Sequence, residues 1–75
     1  MSISEEQIYK NIGKNVKKYR NLRGISQEKL SEMLEVNSKF IGHVERFERR
    51  VSLKRLIKIA EILEIELKEL FEFKL

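Results

Sequence analysis

The stretch ISQEKLSEMLEVNSKFIGHVER, residues 25–46, decides the fold of this chain. It holds two short segments whose apolar residues recur at helical spacing, separated by a turn at residues 35–37. Ser26 begins the first segment with a side chain that commonly caps helix N-termini, and the second helix is predicted to span residues 38–47. Two short helices joined by such a turn are typical of a helix-turn-helix, which we place at about residues 26–47.

Helices are predicted on both sides of this motif. Ser4 and the residues after it have the spacing of a capping box, and the first helix is predicted to end at Gly24. Ser52 is predicted to cap a fourth helix, and a last turn or two is predicted over residues 67–71. The chain has no proline and is rich in Leu, Ile, Glu and Lys. These features predict an all-α fold in a single domain over residues 1–75.

The composition excludes several classes of function. A chain of 75 residues with no cysteine and one histidine has neither a disulfide framework nor the ligands of a zinc site. It has no phosphate-cradling glycine loop and no clustered carboxylates, so we predict that it is not an enzyme and needs no cofactor. The absence of a signal peptide and of a run of eighteen apolar residues predicts a cytoplasmic protein that does not bind a membrane. No small-molecule ligand is expected either.

The net charge of +4 is unevenly distributed. Residues 1–60 carry fourteen Lys and Arg against seven Asp and Glu, a net +7, whereas residues 61–75 carry two against five, a net −3. A basic surface on a small domain indicates a polyanionic partner, and a helix-turn-helix makes nucleic acid the leading candidate.

Several residues coincide with one known pattern: Arg20 and Gly24 before the motif, Ser26-Gln27-Glu28 opening its first helix, Ile41 and Val44-Glu45-Arg46 in its second, and LIKIAEIL at residues 56–63. This combination resembles the Cro/CI-type (XRE-like) regulators, a family that includes phage repressors and the controller proteins of restriction-modification systems. The resemblance covers about residues 8–71. It implies a five-helix, lambda-repressor-like domain that binds double-stranded DNA, regulates transcription and inserts its third helix into the major groove.

The third helix and the turn before it carry the residues expected to read bases. The resemblance implies base contacts by four residues, none of them acidic: Asn37, Ser38, Lys39 and His43. A lysine near the start of a helix that enters the groove can reach guanine O6 and N7. The alternative interpretation is a solvated polar face, with His43 as a surface or packing histidine. Phe40 is equally compatible with a contact to a thymine methyl and with the edge of the core.

Other residues are expected to hold the DNA backbone. The resemblance implies such a contact by Gln27 at a helix N-terminus. Basic side chains that follow the third helix, with one lysine of the first helix, are predicted to meet phosphates: Arg46, Arg49, Arg50 and Lys17. Each of these residues taken alone is also typical of an ordinary solvated surface.

Glu45 is acidic on a helix that is aimed at a polyanion, so it is not expected to face phosphate. The resemblance implies that it pairs with Arg20 and ties the first helix to the third. Three glycines usual in the family are replaced, by Glu35, Phe47 and Glu64. A left-handed backbone at Glu35 or Glu64 would cost on the order of 1 kcal/mol each, and one interpretation of Phe47 is that it packs against the fourth helix.

The C-terminal region, residues 65–75, is more apolar than one small domain readily buries. We predict that it forms a homodimer interface through Ile65, Leu67, Leu70, Phe71 and Phe73. Two copies so joined would place their third helices about 34–36 Å apart, one turn of B-DNA, and read a pseudo-palindromic operator. The alternatives are a short helix that merely completes the core and, for the whole chain, a protein-interaction module such as an antitoxin.

Overall fold

Serine side chains begin three of the four α-helices that the computed structural model contains between residues 3 and 73, the part of the chain that the structure describes. The elements are α1 (Glu5–Leu22), α2 (Gln27–Met33), α3 (Phe40–Glu45), α4 (Leu53–Leu63) and a 3-10 helix (Leu67–Phe71). Ser4 Oγ accepts from the Gln7 N–H at 3.1 Å, and the Ser4 N–H donates to Gln7 Oε1 at 2.9 Å, which is the predicted capping box. Ser26 and Ser52 each accept from the N–H three residues later, so these predicted caps are confirmed.

The same backbone turn ends each of the four α-helices of the described range. A residue with positive φ follows the last turn: Gly24 at 67°, Glu35 at 60°, Phe47 at 64° and Glu64 at 57°. The N–H of the next residue donates to the carbonyl five positions earlier, as from Ile25 to Arg20 at 3.1 Å, and so satisfies a carbonyl that the helix end leaves open. This backbone costs a residue other than glycine about 1–2 kcal/mol, so tertiary contacts must hold the three larger residues in place.

The third helix is shorter than the predicted span of residues 38–47, because α3 contains only the six residues Phe40–Glu45. Before it, Asn37 Oδ1 accepts from the Lys39 N–H at 2.8 Å and Asn37 O accepts from the Phe40 N–H at 2.9 Å, which makes Ser38 and Lys39 part of a turn. After it, the left-handed Phe47 breaks the helix. The last of the five predicted helices is a 3-10 helix over Leu67–Phe71, so the described fold is all-helical as expected but has four α-helices.

α1 and α3 approach closely at Gly13. A Cβ added to Gly13 would lie 2.6 Å from Val44 O and 3.2 Å from the ring of Phe47, so only a glycine allows this packing. The Phe47 ring therefore lies on α1, and the interpretation that placed it against the fourth helix is corrected. This contact supports the left-handed backbone of Phe47 and sets the direction in which the chain leaves α3.

The core among the described residues is one apolar cluster to which every helix contributes. Its members are Ile12, Val16, Leu30, Phe40, Ile41, Val44, Val51, Leu56, Ile59, Ala60, Leu63 and Leu70. Ile65 and Leu67 are half-buried and pack against it. Of the helices in this part of the chain, none combines the length and the apolar character that a membrane crossing requires.

The C-terminal segment is tied to α1 by polar side chains. Asn15 is buried, and its Nδ2 donates to Leu70 O and to Glu72 O, both at 2.9 Å. The Tyr19 hydroxyl donates to the Glu72 carboxylate, and this hydrogen bond raises the pKa of Tyr19 to about 12. Leu70 has no exposed surface, so its predicted place in a dimer interface is corrected to a place in the core. Residues 74 and 75 of the predicted interface region lie outside the described residues.

Candidate nucleic-acid interface

A buried serine joins α2 to α3. Ser31 Oγ donates to Gln27 O at 2.9 Å and accepts from the Ile41 N–H at 3.1 Å, which links one turn of α2 to the first turn of α3. Ser31 has no exposed surface, so the two hydrogen bonds are shielded from water. The crossing of the two helices is therefore fixed by a polar contact inside the motif. Ser31 was not predicted to have this role, since its only signal in the sequence is a small polar residue adjacent to the apolar Leu30.

Arg20 and Glu45 form a two-point ion pair beneath α3. Arg20 Nε donates to Glu45 Oε2 at 2.7 Å and Arg20 Nη2 donates to Oε1 at 3.0 Å. Arg20 Nη1 also donates to Ile25 O at 2.8 Å. The side chains of Arg20 and Glu45 are only 10% and 2% exposed. A two-point hydrogen-bonded ion pair that is shielded from water is a strong interaction. It holds the Glu45 carboxylate on the inner side of α3, away from the outer face.

Gln27 closes this buried site on the outer side. Its Nε2 donates to Glu45 Oε1 at 2.9 Å, so the half-buried side chain of this residue, which is expected to contact the DNA backbone, is bound to α3. Its Oε1 and the Arg46 guanidinium cover Gly42, each 3.1 Å from where a Cβ of Gly42 would lie. Gly42 is therefore buried under two flexible side chains.

The residues expected to read bases lie on one exposed side of the motif. Asn37, Ser38 and Lys39 are exposed on the turn before α3, and His43 is half-buried one helical turn further along. A shallow cleft between α2 and α3 brings some of them together with backbone-contact candidates and one acid: Gln27, Glu28, Ser38, Lys39, Gly42 and Arg46. Asn37 Oδ1 is engaged by the Lys39 N–H, so its amide nitrogen is the group that remains to donate.

An acidic side chain occupies the far end of this surface. Glu48 Oε1 lies 2.8 Å from His43 Nδ1 and accepts from Arg46 Nε at 3.2 Å, while Arg46 Nη2 lies 3.4 Å from His43 Nδ1. The hydrogen bond with His43, followed by that with Arg46, holds the pKa of Glu48 below its usual value. Glu48 was not among the residues that the sequence assigned to this surface. Two predicted DNA-contact residues are in fact joined by this carboxylate.

The arginines after α3 are held in different places. Arg50 Nη1 donates to Glu5 Oε1 at 2.6 Å and its guanidinium lies 4.8 Å from the centre of the Tyr9 ring, so Arg50 is bound to α1. The guanidinium groups of Arg49 and Arg55 lie 5.4 and 5.2 Å from the centre of the Phe40 ring.

The Phe40 ring is thus buried and lies beneath the guanidinium groups of Arg49 and Arg55. Of the two interpretations of Phe40, the structure supports the one that places it at the edge of the core. Arg55 was not in the set that the sequence predicted to meet phosphates, which is Arg46, Arg49, Arg50 and Lys17. Lys17 is exposed on α1, one turn before Arg20.

Two short helices locked at a fixed crossing, with a polar and cationic outer face, define a helix-turn-helix DNA-binding domain. The profile of the Helix-turn-helix family matches residues 16–70, and the chain belongs to this family, whose Cro/CI-type (XRE-like) members it resembles in sequence. The chain thus contains a DNA-binding domain of this family.

Individual relatives agree with this assignment. The control protein C.SmaI of Serratia marcescens is 44% identical over 52 residues, which are 69% of this chain and 62% of that protein. The chain thus spans less than two thirds of this curated relative. The restriction-modification controller protein C.AhdI of Aeromonas hydrophila is 36% identical, with a TM-score of 0.77 over 84% of this chain and 96% of that one.

The hypothetical transcription factor NHTF from Neisseria has a TM-score of 0.82 over 96% of this chain and 84% of that one. Its identity is 23%, so it supports the fold alone.

Proposed function

We propose that this chain is a homodimeric regulator that binds a pseudo-palindromic operator through the major groove. The observation that carries the proposal is the polar side of the motif formed by Asn37, Ser38, Lys39 and His43. It lies on α3 and the turn before it, and the inner side of α3 is anchored by the shielded Arg20–Glu45 pair. A helix that enters a groove must keep its orientation when the solvent around it is replaced by DNA, and this anchor supplies that rigidity.

Base recognition is assigned to the turn before α3 and to the first turn of the helix. Lys39 is exposed and can donate to guanine O6 and N7, and Ser38 and the Asn37 amide can reach bases or adjacent phosphates. His43 follows one turn later. Four such side chains are enough to specify a few base pairs in each half-site.

Phosphate contacts are assigned to the cations that surround this side. Arg46 lies in the same cleft as Lys39, and Arg49 is supported on Phe40 together with Arg55, which we add to the set. Lys17 would extend the contact along α1. Arg50 would have to leave Glu5 to reach DNA, so its contribution is expected to be the smallest. Gln27 would contribute by its backbone N–H, since its side chain is bound to Glu45.

Dimerisation is assigned to an exposed apolar surface around the 3-10 helix. Phe71 lies in a groove with Ile8 and Leu53, which are 38% and 59% exposed, and Phe73 is also exposed. Ile65 and Leu67 contribute the parts of their side chains that the core leaves uncovered. Apolar side chains gathered in one groove favour a partner surface of the same kind, which a second copy would provide.

The likeness to the control protein C.SmaI and to the restriction-modification controller protein C.AhdI supports a role as a controller of that kind. Such a role requires only a DNA-binding dimer that occupies promoter DNA. Whether occupation represses or activates depends on the position of the operator.

Selection of bound sequences from a random duplex library, followed by fluorescence titration, tests the proposal. We expect a half-site repeated with two-fold symmetry, about one helical turn between centres, and affinity that falls with added salt. Lys39→Ala should weaken operator binding by about 1–3 kcal/mol. Lys68→Ala, which removes an exposed lysine from the 3-10 helix, is the matched control and should bind as the wild type does. Equal affinity for selected and scrambled duplexes would refute the proposal.

The dimer is tested separately by light scattering. The wild type should have twice the mass of one chain, and Phe71→Ser should shift the equilibrium to monomer and weaken operator binding. Leu22→Ser changes an equally apolar residue that is 72% exposed on α1 and should have no effect on mass. If the wild type is a monomer and still binds a symmetric operator, the dimer proposal is wrong. The groove of Ile8, Leu53 and Phe71 would then be a candidate contact for a different partner protein.

A further inference from the structure

Glu48 is the one acidic side chain that contacts two predicted DNA-binding residues at once within residues 3–73. It bridges His43 Nδ1 at 2.8 Å and Arg46 Nε at 3.2 Å, and these two residues are also the charged groups that act on its carboxylate. A carboxylate so close to the Arg46 guanidinium, which would meet phosphate, lowers the positive potential of that surface. The position of Glu48 should therefore affect the relative affinity of the protein for different duplexes.

The backbone places this carboxylate by a specific route. Phe47 is left-handed, and the following N–H of Glu48 donates to His43 O at 2.8 Å, which folds the chain back over the last turn of α3. The Phe47 ring rests on α1 at Gly13, where a Cβ would be 3.2 Å away. The return of Glu48 toward His43 is thus enforced by packing at Phe47 and does not depend on the ion pair alone.

Contact with Glu48 determines which part of His43 a base could meet. When Nδ1 is held by a carboxylate, Nε2 on the opposite side of the ring is the nitrogen left for another partner. An imidazole orientated in this way presents a defined group to a base edge, whereas a freely rotating one presents either nitrogen. The pKa of Glu48 is lowered, first by the His43 hydrogen bond and then by Arg46, which is the direction expected for an ionised carboxylate that accepts from both residues.

Random DNA and an operator respond differently to this arrangement. Binding to random DNA depends almost entirely on attraction between cations and phosphates, so a carboxylate on Arg46 weakens it. An operator complex also uses base contacts, including one that gains from an orientated His43. We propose that Glu48 is a specificity-determining residue, which orients His43 for base contact and competes with phosphate for Arg46. This inference rests on the proposed DNA-binding function.

The test compares the affinity of wild-type protein, Glu48→Ala and Glu66→Ala for a selected operator and for a scrambled duplex of equal length, at several salt concentrations. Glu66 is an exposed acid, 71% against 52% for Glu48, that pairs with Lys68 at the start of the 3-10 helix, so its removal changes the net charge in the same way. We expect Glu48→Ala to bind the scrambled duplex about threefold more tightly, the scale of an exposed ion pair. Its operator affinity should stay the same or fall.

Two further readouts separate this role from a general effect of charge. The salt slope for the scrambled duplex should steepen by about 1 in Glu48→Ala, because Arg46 gains a phosphate. In an Arg46→Ala background, the gain from Glu48→Ala on the scrambled duplex should disappear.

If Glu48→Ala and Glu66→Ala both keep the wild-type ratio of operator to scrambled affinity, the inference is wrong and the regulator proposal stands. If the wild type itself has no preference between the duplexes, the regulator proposal fails and this inference fails with it.

Discussion

Two charged clusters lie on opposite sides of α3, and they differ mainly in their access to water. On the inner side, Arg20 and Glu45 meet with 10% and 2% of their side chains exposed, and Gln27 completes the hydrogen bonds of the carboxylate. On the outer side, His43, Arg46 and Glu48 form a similar network with about half of each side chain exposed. Water and salt weaken the outer contacts but hardly reach the inner ones, so the first cluster holds the fold and the second can exchange partners.

The strongest test of this contrast removes one member of the inner pair. Arg20→Ala leaves Glu45 uncompensated in a shielded site, and we expect a loss of about 3–5 kcal/mol in the free energy of unfolding. Urea denaturation followed by circular dichroism measures it. Arg23→Ala, which breaks the exposed pair with Glu64, is the control and should cost less than about 1 kcal/mol. Full thermal stability of Arg20→Ala would show that the inner pair has no structural role.

Two glycines beside these clusters should respond unequally to a methyl group. At Gly13 a Cβ would meet the backbone carbonyl of Val44 at 2.6 Å, so α1 and α3 must separate, and Gly13→Ala should lose about 1–3 kcal/mol of stability. At Gly42 the neighbours are the ends of Arg46 and Gln27, which can move. Gly42→Ala should therefore fold normally but bind the operator less well. Paired unfolding and DNA titrations check both results, and equal stability of the two variants would contradict the packing described at Gly13.

The contribution of the outer cluster to stability should depend on pH in the acid range. The pKa of Glu48 in the folded protein is lowered from 4.5, so its contribution to stability is present above that value and is lost as the pH falls through the folded pKa. Wild type and Glu48→Gln should thus differ in unfolding free energy at pH 7 and converge near the acid end. Glu66→Gln serves as the comparison. A difference between wild type and Glu48→Gln that persists unchanged at pH 3 would mean that the ion pair is not its source.

The smallest expected effect concerns the exposed contact between Tyr19 and Glu72. The pKa of Tyr19 is raised to about 12 by the hydrogen bond to Glu72, so the stability gained there is complete below pH 10 and lost as the pH rises toward 12. Absorbance at alkaline pH should contain a phenolate component that appears near pH 12. Tyr19→Phe should abolish that component, and Glu72→Gln should move it to lower pH. A late component that survives in Tyr19→Phe would belong to another group.

Local features were predicted well because each depends on residues a few positions apart. The serine caps at positions 4, 26 and 52 and the end of α1 at Gly24 involve hydrogen bonds across three to five residues. The replacement of usual glycines at Glu35 and Glu64 marked positions where the backbone is left-handed. The bounds of α3 were wrong because the turn at Asn37 and the break at Phe47 compete with a helix whose apolar spacing continues through both.

The helical fold class, the family and the side of the motif that carries Asn37 to His43 could be read from the sequence, because periodicity and helix caps depend on residues close together in the chain. Tertiary structure alone decided that Leu70 is buried, that Arg50 is bound to Glu5 and that Gly13 must lack a side chain. It also decided that Glu48 returns to His43, because that contact needs the Phe47 ring to rest on α1. Burial and ion pairing depend on which distant segments of the chain come into contact, and a local sequence pattern does not contain that information.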